Sequence, residues 1–337
     1  MNTSPLAGSP LMSEPVRVDE LVEAIDLKVE FAVGGVGQRR RVRALDGVNL
    51  VVRRAEIVAL VGESGCGKST TGRVLLRLCR PSAGTVRFDG VDITSMSQRA
   101  MRPLRHRMQM VFQHPGPALN PRVQLGRSVA EPLEAAGVPR LEQRERVEAL
   151  LDRVGLAGTF ASKYPHELSG GQLQRIAIAR ALVGRPDFVV ADEPLSSLDL
   201  SVQAQVMILL HKLQAEFGIS LLFITHDLAV AEYLSDRVAV MYMGKMVEIA
   251  PALRFSGNAR HPYSQALLDS IPRMNPARER SRSSDALRGE VPSMLSPPPG
   301  CRFHTRCPLA EERCRREEPP LREIDHDHKV ACWLARA

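Results

Sequence analysis

Apolar and polar positions change rhythm several times along the 337 residues. Between residues 20 and 60, LVEAIDLKVEF and GVNLVVR alternate, which predicts antiparallel strands with one buried face. IVALVG (57–62), FVVADEP (188–194) and ISLLFITHD (219–227) are instead continuous apolar runs, the pattern of strands buried on both faces. The first leads through a glycine-rich loop into TTGRVLLRLC, a helical stretch, and the other two end in polar residues. PSAGTVRFDG (81–90) predicts a turn and then an edge strand. From about 115 to 168 the period becomes helical, with Val147, Leu150, Leu151 and Val154 on one stripe. This predicts a helical subdomain, about 114–170, inserted into an α/β core spanning 18–250. SVQAQVMILLHKLQAEFG predicts an amphipathic helix between the last two buried strands. Residues 1–17, rich in Ser, Pro and Gly, read as a mobile tail. After 250 the chain thins into Pro-, Arg- and Ser-rich sequence, so 251–337 is expected to be a separate appendage.

Composition adds limits. Hydrophobic residues make up 44% and charged residues 25%, as in ordinary globular proteins. No apolar run approaches a membrane span, and the N-terminus carries no basic-then-apolar leader, so a cytosolic location is expected. A net charge of +7 favours an anionic partner without choosing among nucleotide, nucleic acid and acidic membrane. Four of the six cysteines crowd the C-terminal segment, which in a cytosolic chain points to metal rather than disulfide.

The chemistry begins at residues 62–70, GESGCGKST, a G-x-x-x-x-G-K-[ST] loop between a predicted strand and a predicted helix. Gly62, Glu63, Ser64, Gly65, Cys66, Gly67 and Thr70 would wrap phosphate oxygens with backbone N–H groups. Lys68 would reach the β- and γ-phosphates and Ser69 would ligate Mg²⁺. Asp192 and Glu193 end a buried strand as adjacent acids, a costly arrangement that a cation and a proton transfer would explain. Asp192 is assigned to Mg²⁺ and Glu193 to polarising the attacking water. His226, in ITHD, ends the next buried strand at the same sheet edge, where it would sense the γ-phosphate; a purely structural histidine is the alternative. Gln113, in MVFQHP, lies where core meets insertion and could touch nucleotide, Mg²⁺ and insertion, or be an ordinary loop glutamine.

A second anion cradle follows at Ser169, Gly170, Gly171 and Gln172, opening the helix QLQRIAIARAL. One phosphate loop suffices for one triphosphate, so this one needs a separate target. A second copy of the domain, placed head to tail, would bring it to the γ-phosphate of the opposite site. ATP would then close the dimer and hydrolysis would loosen it.

GESGCGKST, Gln113, LSGGQ, VVADE, SSLD (196–199) and His226, in that order, resemble the nucleotide-binding subunit of an ATP-binding-cassette transporter over roughly residues 20–250. The resemblance implies a P-loop NTPase core with an antiparallel N-terminal subdomain. It also implies that Asp199 lines the dimer interface and that Phe31 stacks on adenine, a core phenylalanine being the alternative for the latter. Position 173 is Leu where relatives often carry a basic residue, with little consequence expected.

The tail reads GCRFHTRCPLAEERC and ends in VACWLARA, so Cys301, Cys307, Cys314 and Cys332 are spaced unlike a zinc finger. Four thiolates can hold a tetrahedral ion or a [4Fe–4S] cluster. This tail and HPYSQALLDSIP (261–272) resemble the C-terminal extension of oligopeptide/dipeptide transporter ATPases. In that family the cysteines are associated with a [4Fe–4S] cluster; Zn²⁺ and free or disulfide cysteines are the alternatives. His304, His326 and His328 read as surface histidines of a basic tail. The resemblance implies an ATPase subunit of a peptide-type importer on the cytoplasmic face of the inner membrane. Its implied partners are a second, non-identical ATPase subunit, two permease subunits and, indirectly, a substrate-binding protein, with no nucleic acid. The rival is a soluble cassette ATPase acting on nucleic acid or ribosomes, for which the insertion is too short to form a coiled-coil arm.

Overall fold

Two sheets meet across the phosphate-loop helix. The computed structural model describes residues 19–34, 40–253, 255–271, 289–290 and 292–336; the expected N-terminal tail lies outside the described residues. β1 (Glu20–Val33) and β2 (Arg40–Arg53) form a long antiparallel pair. β3 (Ile57–Val61) leads to α1 (Lys68–Leu75), and the chain returns through β4 (Ala83–Phe88) and the two-residue β5 (Val91–Asp92). The first sheet runs β2-β1-β4-β5, so β4 is an interior strand with the short β5 on its edge, not the edge strand its sequence suggested. The Asp89–Gly90 turn that ends PSAGTVRFDG doubles the chain back into β5, which covers β4.

After α2 (Gln98–Arg105) and β6 (Met108–Val111) come the inserted helices: α3 (Pro115–Ala118), α4 (Leu125–Ala135) and α5 (Arg140–Arg153), then the 3-10 turns Gly158–Ser162 and Pro165–Glu167. The stripe read from sequence faces inward, with Val147, Leu150, Leu151 and Val154 all buried. α6 (Gly170–Leu182) leads to β7 (Phe188–Asp192), α7 (Leu200–Phe217), β8 (Ser220–Ile224), α8 (Leu228–Leu234), β9 (Arg237–Tyr242) and β10 (Lys245–Pro251). The tail contributes α9 (Phe255–Asn258), α10 (Pro262–Ser270), a helical turn at Glu312–Arg316, β11 (Arg322–Asp325) and β12 (His328–Val330).

The second sheet runs β11-β12-β10-β9-β3-β8-β7-β6, parallel from β9 through β6. Its inner strands β3, β7 and β8 are apolar at every position except Asp192 and Ser220 at strand ends, because both faces are covered. Period-two alternation sends Val58, Leu60, Val190 and Leu222 toward the antiparallel sheet, and Val189, Ala191, Leu221 and Phe223 toward the helices. The tail does not stand apart in space: β12 pairs with β10, extending the core sheet. Arg237 on β9 and Glu56 before β3 form a buried two-pronged ion pair at 2.6 and 2.9 Å, tying adjacent strands at their N-terminal ends.

Candidate functional site

β3, β7 and β8 run parallel, so their carboxyl ends deliver the phosphate loop, Asp192–Glu193 and His226 to one edge. The loop turns sharply between β3 and α1. Gly67, the residue before α1, has φ 113°, and a Cβ there would lie 2.5 Å from the Ala44 carbonyl oxygen. Only glycine fits both the dihedral and the space. Cys66 is buried, and desolvation pushes its thiol up, so it is a packing residue of the loop rather than a reactive one. Lys68 is 4% exposed, and its ammonium donates to the carbonyls of Gly62 (2.8 Å) and Glu63 (3.1 Å). The cation is therefore folded back over the loop it would share with a phosphate.

Ser69 Oγ donates to Asp192 Oδ1 at 2.7 Å. Asp192 is buried and desolvation pushes its carboxyl up, with the Ser69 hydrogen bond acting against that. A hydroxyl and a desolvated carboxylate side by side are a hard-oxygen pair suited to Mg²⁺, which would reverse the desolvation penalty. These residues fit the ion.

Glu193 follows in a left-handed conformation, φ 44°, unusual for a side chain of this size. The turn directs its carboxylate sideways. Oε2 accepts from Gln113 Nε2 at 3.0 Å and lies 3.5 Å from His226 Nδ1. Gln113 also reaches Ser196 Oγ at 3.5 Å. Among the described residues no hydrogen bond to Oε1 of Glu193 is formed. Lys68, Ser69, Asp192, Glu193, Gln113 and His226 are thus brought to the same sheet edge.

The second cradle is elsewhere. Ser169 caps α6 in a reciprocal box: its Oγ accepts from Gln172 N at 3.4 Å and Gln172 Oε1 accepts from Ser169 N at 3.0 Å. Ser169 and Gly170 are exposed. A Cβ on Gly171 would sit 2.6 Å from Val202 Cγ1, so this glycine lets α6 approach α7. Asp199 caps α7, accepting from Val202 N and Ser201 Oγ, and those bonds hold its carboxyl below the usual range. Among the described residues, no hydrogen bond joins Ser169, Gly170, Gly171, Gln172 or Asp199 to the phosphate-loop group. Phe31 lies on β1, 44% exposed, which removes the core alternative.

In the tail, Cys301, Cys307, Cys314 and Cys332 border one cavity of about 10 Å³, the space of a single water. All four are free thiols. Burial, then the proximity of the other three, pushes Cys301 up to about 11. The expected [4Fe–4S] or Zn²⁺ ligand set is not assembled: no group of three or more His, Cys, Asp or Glu side chains among the described residues is placed to hold a metal. The donors suit a thiophilic metal, but the packing between Phe303 and Trp333 leaves no room for a four-iron cube without movement. The surface reading of His328 is also corrected. It is buried, with Nε2 2.7 Å from Glu248 Oε1, because β12 carries it into the sheet.

Sequence reading missed two residues bound to this edge, Tyr263 and Arg306, and a third, Glu248, that anchors the tail beside them. Tyr263 Oη accepts from Glu63 N at 3.0 Å, Arg306 grips the Glu63 carboxylate, and the fully buried Glu248 accepts from the amides of Arg260 and His261. Neither their spacing nor their type marks them. A buried acid inside the apolar run MVEIA was the available signal for Glu248.

The family described as ABC transporter matches residues 45–196, and the family described as oligopeptide/dipeptide transporter, C-terminal region, matches residues 247–314. The chain is 46% identical over 321 residues to the oligopeptide transport ATP-binding protein AppF of Bacillus subtilis (strain 168), covering 94% of this chain and 98% of that one. It is 48% identical over 294 residues to a probable peptide ABC transporter ATP-binding protein, y4tS, of Sinorhizobium fredii, covering 87% and 83%. Among solved structures it resembles the dimeric ATP-binding cassette MJ0796 bound to ADP and Pi, with TM-score 0.63, 30% identity, and 69% of this chain and 99% of that one covered. It also resembles cbiO1 of Clostridium perfringens, with TM-score 0.64, 29% identity, and 77% and 99% covered.

Proposed function

The chain belongs to the ATP-binding-cassette transporter family, in its oligopeptide/dipeptide group, and from that premise we propose how its own residues hydrolyse ATP for a peptide importer. The supporting observation is the edge itself: Ser69 against Asp192, and Glu193 hydrogen-bonded to Gln113 with His226 Nδ1 3.5 Å from the same oxygen, beside the phosphate loop.

Lys68 leaves the Gly62 and Glu63 carbonyls for the β- and γ-phosphates, exchanging two neutral acceptors for charged ones. Ser69 and Asp192, with Gln113, would hold Mg²⁺, which supplies charge neutralisation to the phosphates when bound. Glu193 accepts a hydrogen bond from water through Oε1, while Gln113 and His226 hold Oε2. The water oxygen attacks the γ-phosphorus, the bond to the β–γ bridging oxygen breaks, and the water's proton passes to the released phosphate. Phe31, exposed at the end of β1, offers an adenine platform. Ser169 and Gly170, exposed at the start of α6, with the half-buried Gly171 and Gln172, are available to the γ-phosphate bound by a second ATPase subunit, with Asp199 at the seam.

The inserted helices, which begin just after Gln113, are the surface offered to two permease subunits. No helix among the described residues is long and apolar enough to cross a membrane, so attachment would be peripheral, at the cytoplasmic face. The core 18–250 and the tail 251–337 are read as two functional units on one sheet. The four cysteines are proposed to hold a [4Fe–4S] cluster, or Zn²⁺, after local rearrangement. The test of the catalytic reading is Glu193→Gln. Turnover of ATP should fall by about 10²-fold or more while binding persists; turnover at the wild-type rate would refute the assignment.

A further inference from the structure

Glu63 is held from three directions. Its carbonyl accepts from Lys68 at 3.1 Å. Its N–H donates to Tyr263 Oη at 3.0 Å. Its carboxylate meets Arg306 in a fork, Nη1 to Oε2 at 2.9 Å and Nη2 to Oε1 at 3.1 Å. The first contact lies within the phosphate loop. The other two reach across two hundred or more positions of sequence into the tail, Tyr263 on α10 and Arg306 in the cysteine-bearing segment.

The two tail groups are built into place. Tyr263 is 0% exposed and Arg306 9%. Tyr242, Tyr263 and Phe303 form a three-ring cluster with centroids 4.6 to 5.3 Å apart. Arg306 lies against two of those rings, with its guanidinium carbon 5.9 Å from the centroids of Tyr242 and Phe303. Its Nη1 also approaches Tyr242 Oη at 3.4 Å. Burial, first among its causes, pushes His261 down to about 4; the neutral ring accepts from Tyr263 N at 3.0 Å and fixes the start of α10. A desolvated, planar fork on a carboxylate is among the stiffer contacts a protein makes.

We infer that Arg306 and Tyr263 are positioning residues of the phosphate loop: the tail sets the conformation in which Gly62–Ser69 receives a nucleotide. The inference rests on the nucleotide reading above. Its physical basis is pre-organisation. Lys68 has to leave the Glu63 carbonyl when phosphate enters, so the tail supplies the contacts that keep Glu63 in place at that moment. Without them the loop is ordered by the nucleotide itself, and part of the binding energy is lost.

The test uses the full chain and equilibrium ATP titration beside steady-state hydrolysis. Arg306→Ala should weaken ATP binding and raise KM by about tenfold, the scale of one coupled charged pair, with kcat within about twofold. Arg306→Lys should recover part of the affinity. Glu63→Gln should match Arg306→Ala, and the double variant should be no weaker than either single one. Arg316→Ala, which removes an exposed charge from the same segment, should bind as wild type. If Arg306→Ala does not fold, Tyr263→Phe keeps the ring and deletes only the acceptor, with about threefold weaker binding expected. Unchanged KM in these variants, or losses that multiply in the double variant, would overturn the inference. A wild-type chain that binds no ATP would sink the reading beneath it as well; variants that bind as tightly as an ATP-binding wild type sink this inference alone.

Discussion

Replacing Glu248 by alanine should release the tail from the core. The carboxylate is 0% exposed and accepts from Arg260 N (2.7 Å), His261 N (3.0 Å) and His328 Nε2 (2.7 Å). These donors come from the start of α10 and from β12, so one side chain on β10 fastens two parts of the tail. Alanine leaves all three without their acceptor. One orphaned buried donor costs about 1–3 kcal/mol, and breaking a buried charged network costs about 3–5 kcal/mol because the losses overlap. The chain's one tryptophan, Trp333, reports the tail selectively, since its Nε1 donates to Glu317 O at 3.2 Å. Urea unfolding followed by Trp333 fluorescence should therefore show a transition destabilised by about 3–5 kcal/mol. The pH dependence has a definite sign. Burial pushes the Glu248 carboxyl up, but the hydrogen bonds from His328 and the two amides outweigh it and hold the group below its ordinary value. A depressed folded pKa contributes stability above the unfolded value, near 4.3, and that contribution is lost as pH falls through the folded one. The wild-type tail should weaken below about pH 4, and the alanine variant should lack that component. A midpoint shift equivalent to less than about 1 kcal/mol, or the same acid sensitivity in both proteins, would refute the reasoning.

Ser69→Ala removes a hydroxyl that touches Asp192 and should raise the Mg²⁺ concentration for half-maximal ATP hydrolysis by about tenfold, read from a Mg²⁺ titration. Gly67→Ala places a methyl 2.5 Å from the Ala44 oxygen at φ 113°, so thermal unfolding should show a loss above about 2 kcal/mol, and ATP binding should fall with it. Anaerobically purified protein should carry iron and acid-labile sulfide if the tail holds a cluster, or one zinc if it holds an ion. Neither metal in such a preparation would leave the four cysteines as packing thiols.

The parallel strands, the phosphate loop and the edge acids were legible because each has a local signature: an apolar run, a glycine spacing, a carboxylate where burial should forbid one. β4 was misplaced because an edge is defined by what pairs with a strand, and the two-residue β5 has no pattern to read. His328 was misread for a related reason. Its segment, DHDHKV, is polar in sequence and becomes interior only when β12 joins β10. Arg306 and Tyr263 stayed invisible because their partner is a single carboxylate and a single amide far along the chain. The cysteines were found by their clustering, yet clustering says nothing about the packing that leaves only about 10 Å³ among them.

The tail's attachment bears on how the core can move. β12 pairs with β10, β10 with β9, and β9 with β3, the strand that carries the phosphate loop. Hydrogen-bonded strands of one sheet move as a unit, so the tail, the phosphate loop and the ends of β7 and β8 form one body. The inserted helices do not share that ladder. They pack in one apolar cluster with Val111, Val189 and Ala191 of the sheet, and Gln113, which stands after β6 on the sheet's outer side, bonds Glu193 at 3.0 Å. Gln113 thus couples the start of the insertion to the Glu193 carboxylate at the β6 end of the sheet, while the tail, from the β10–β12 side, holds Glu63.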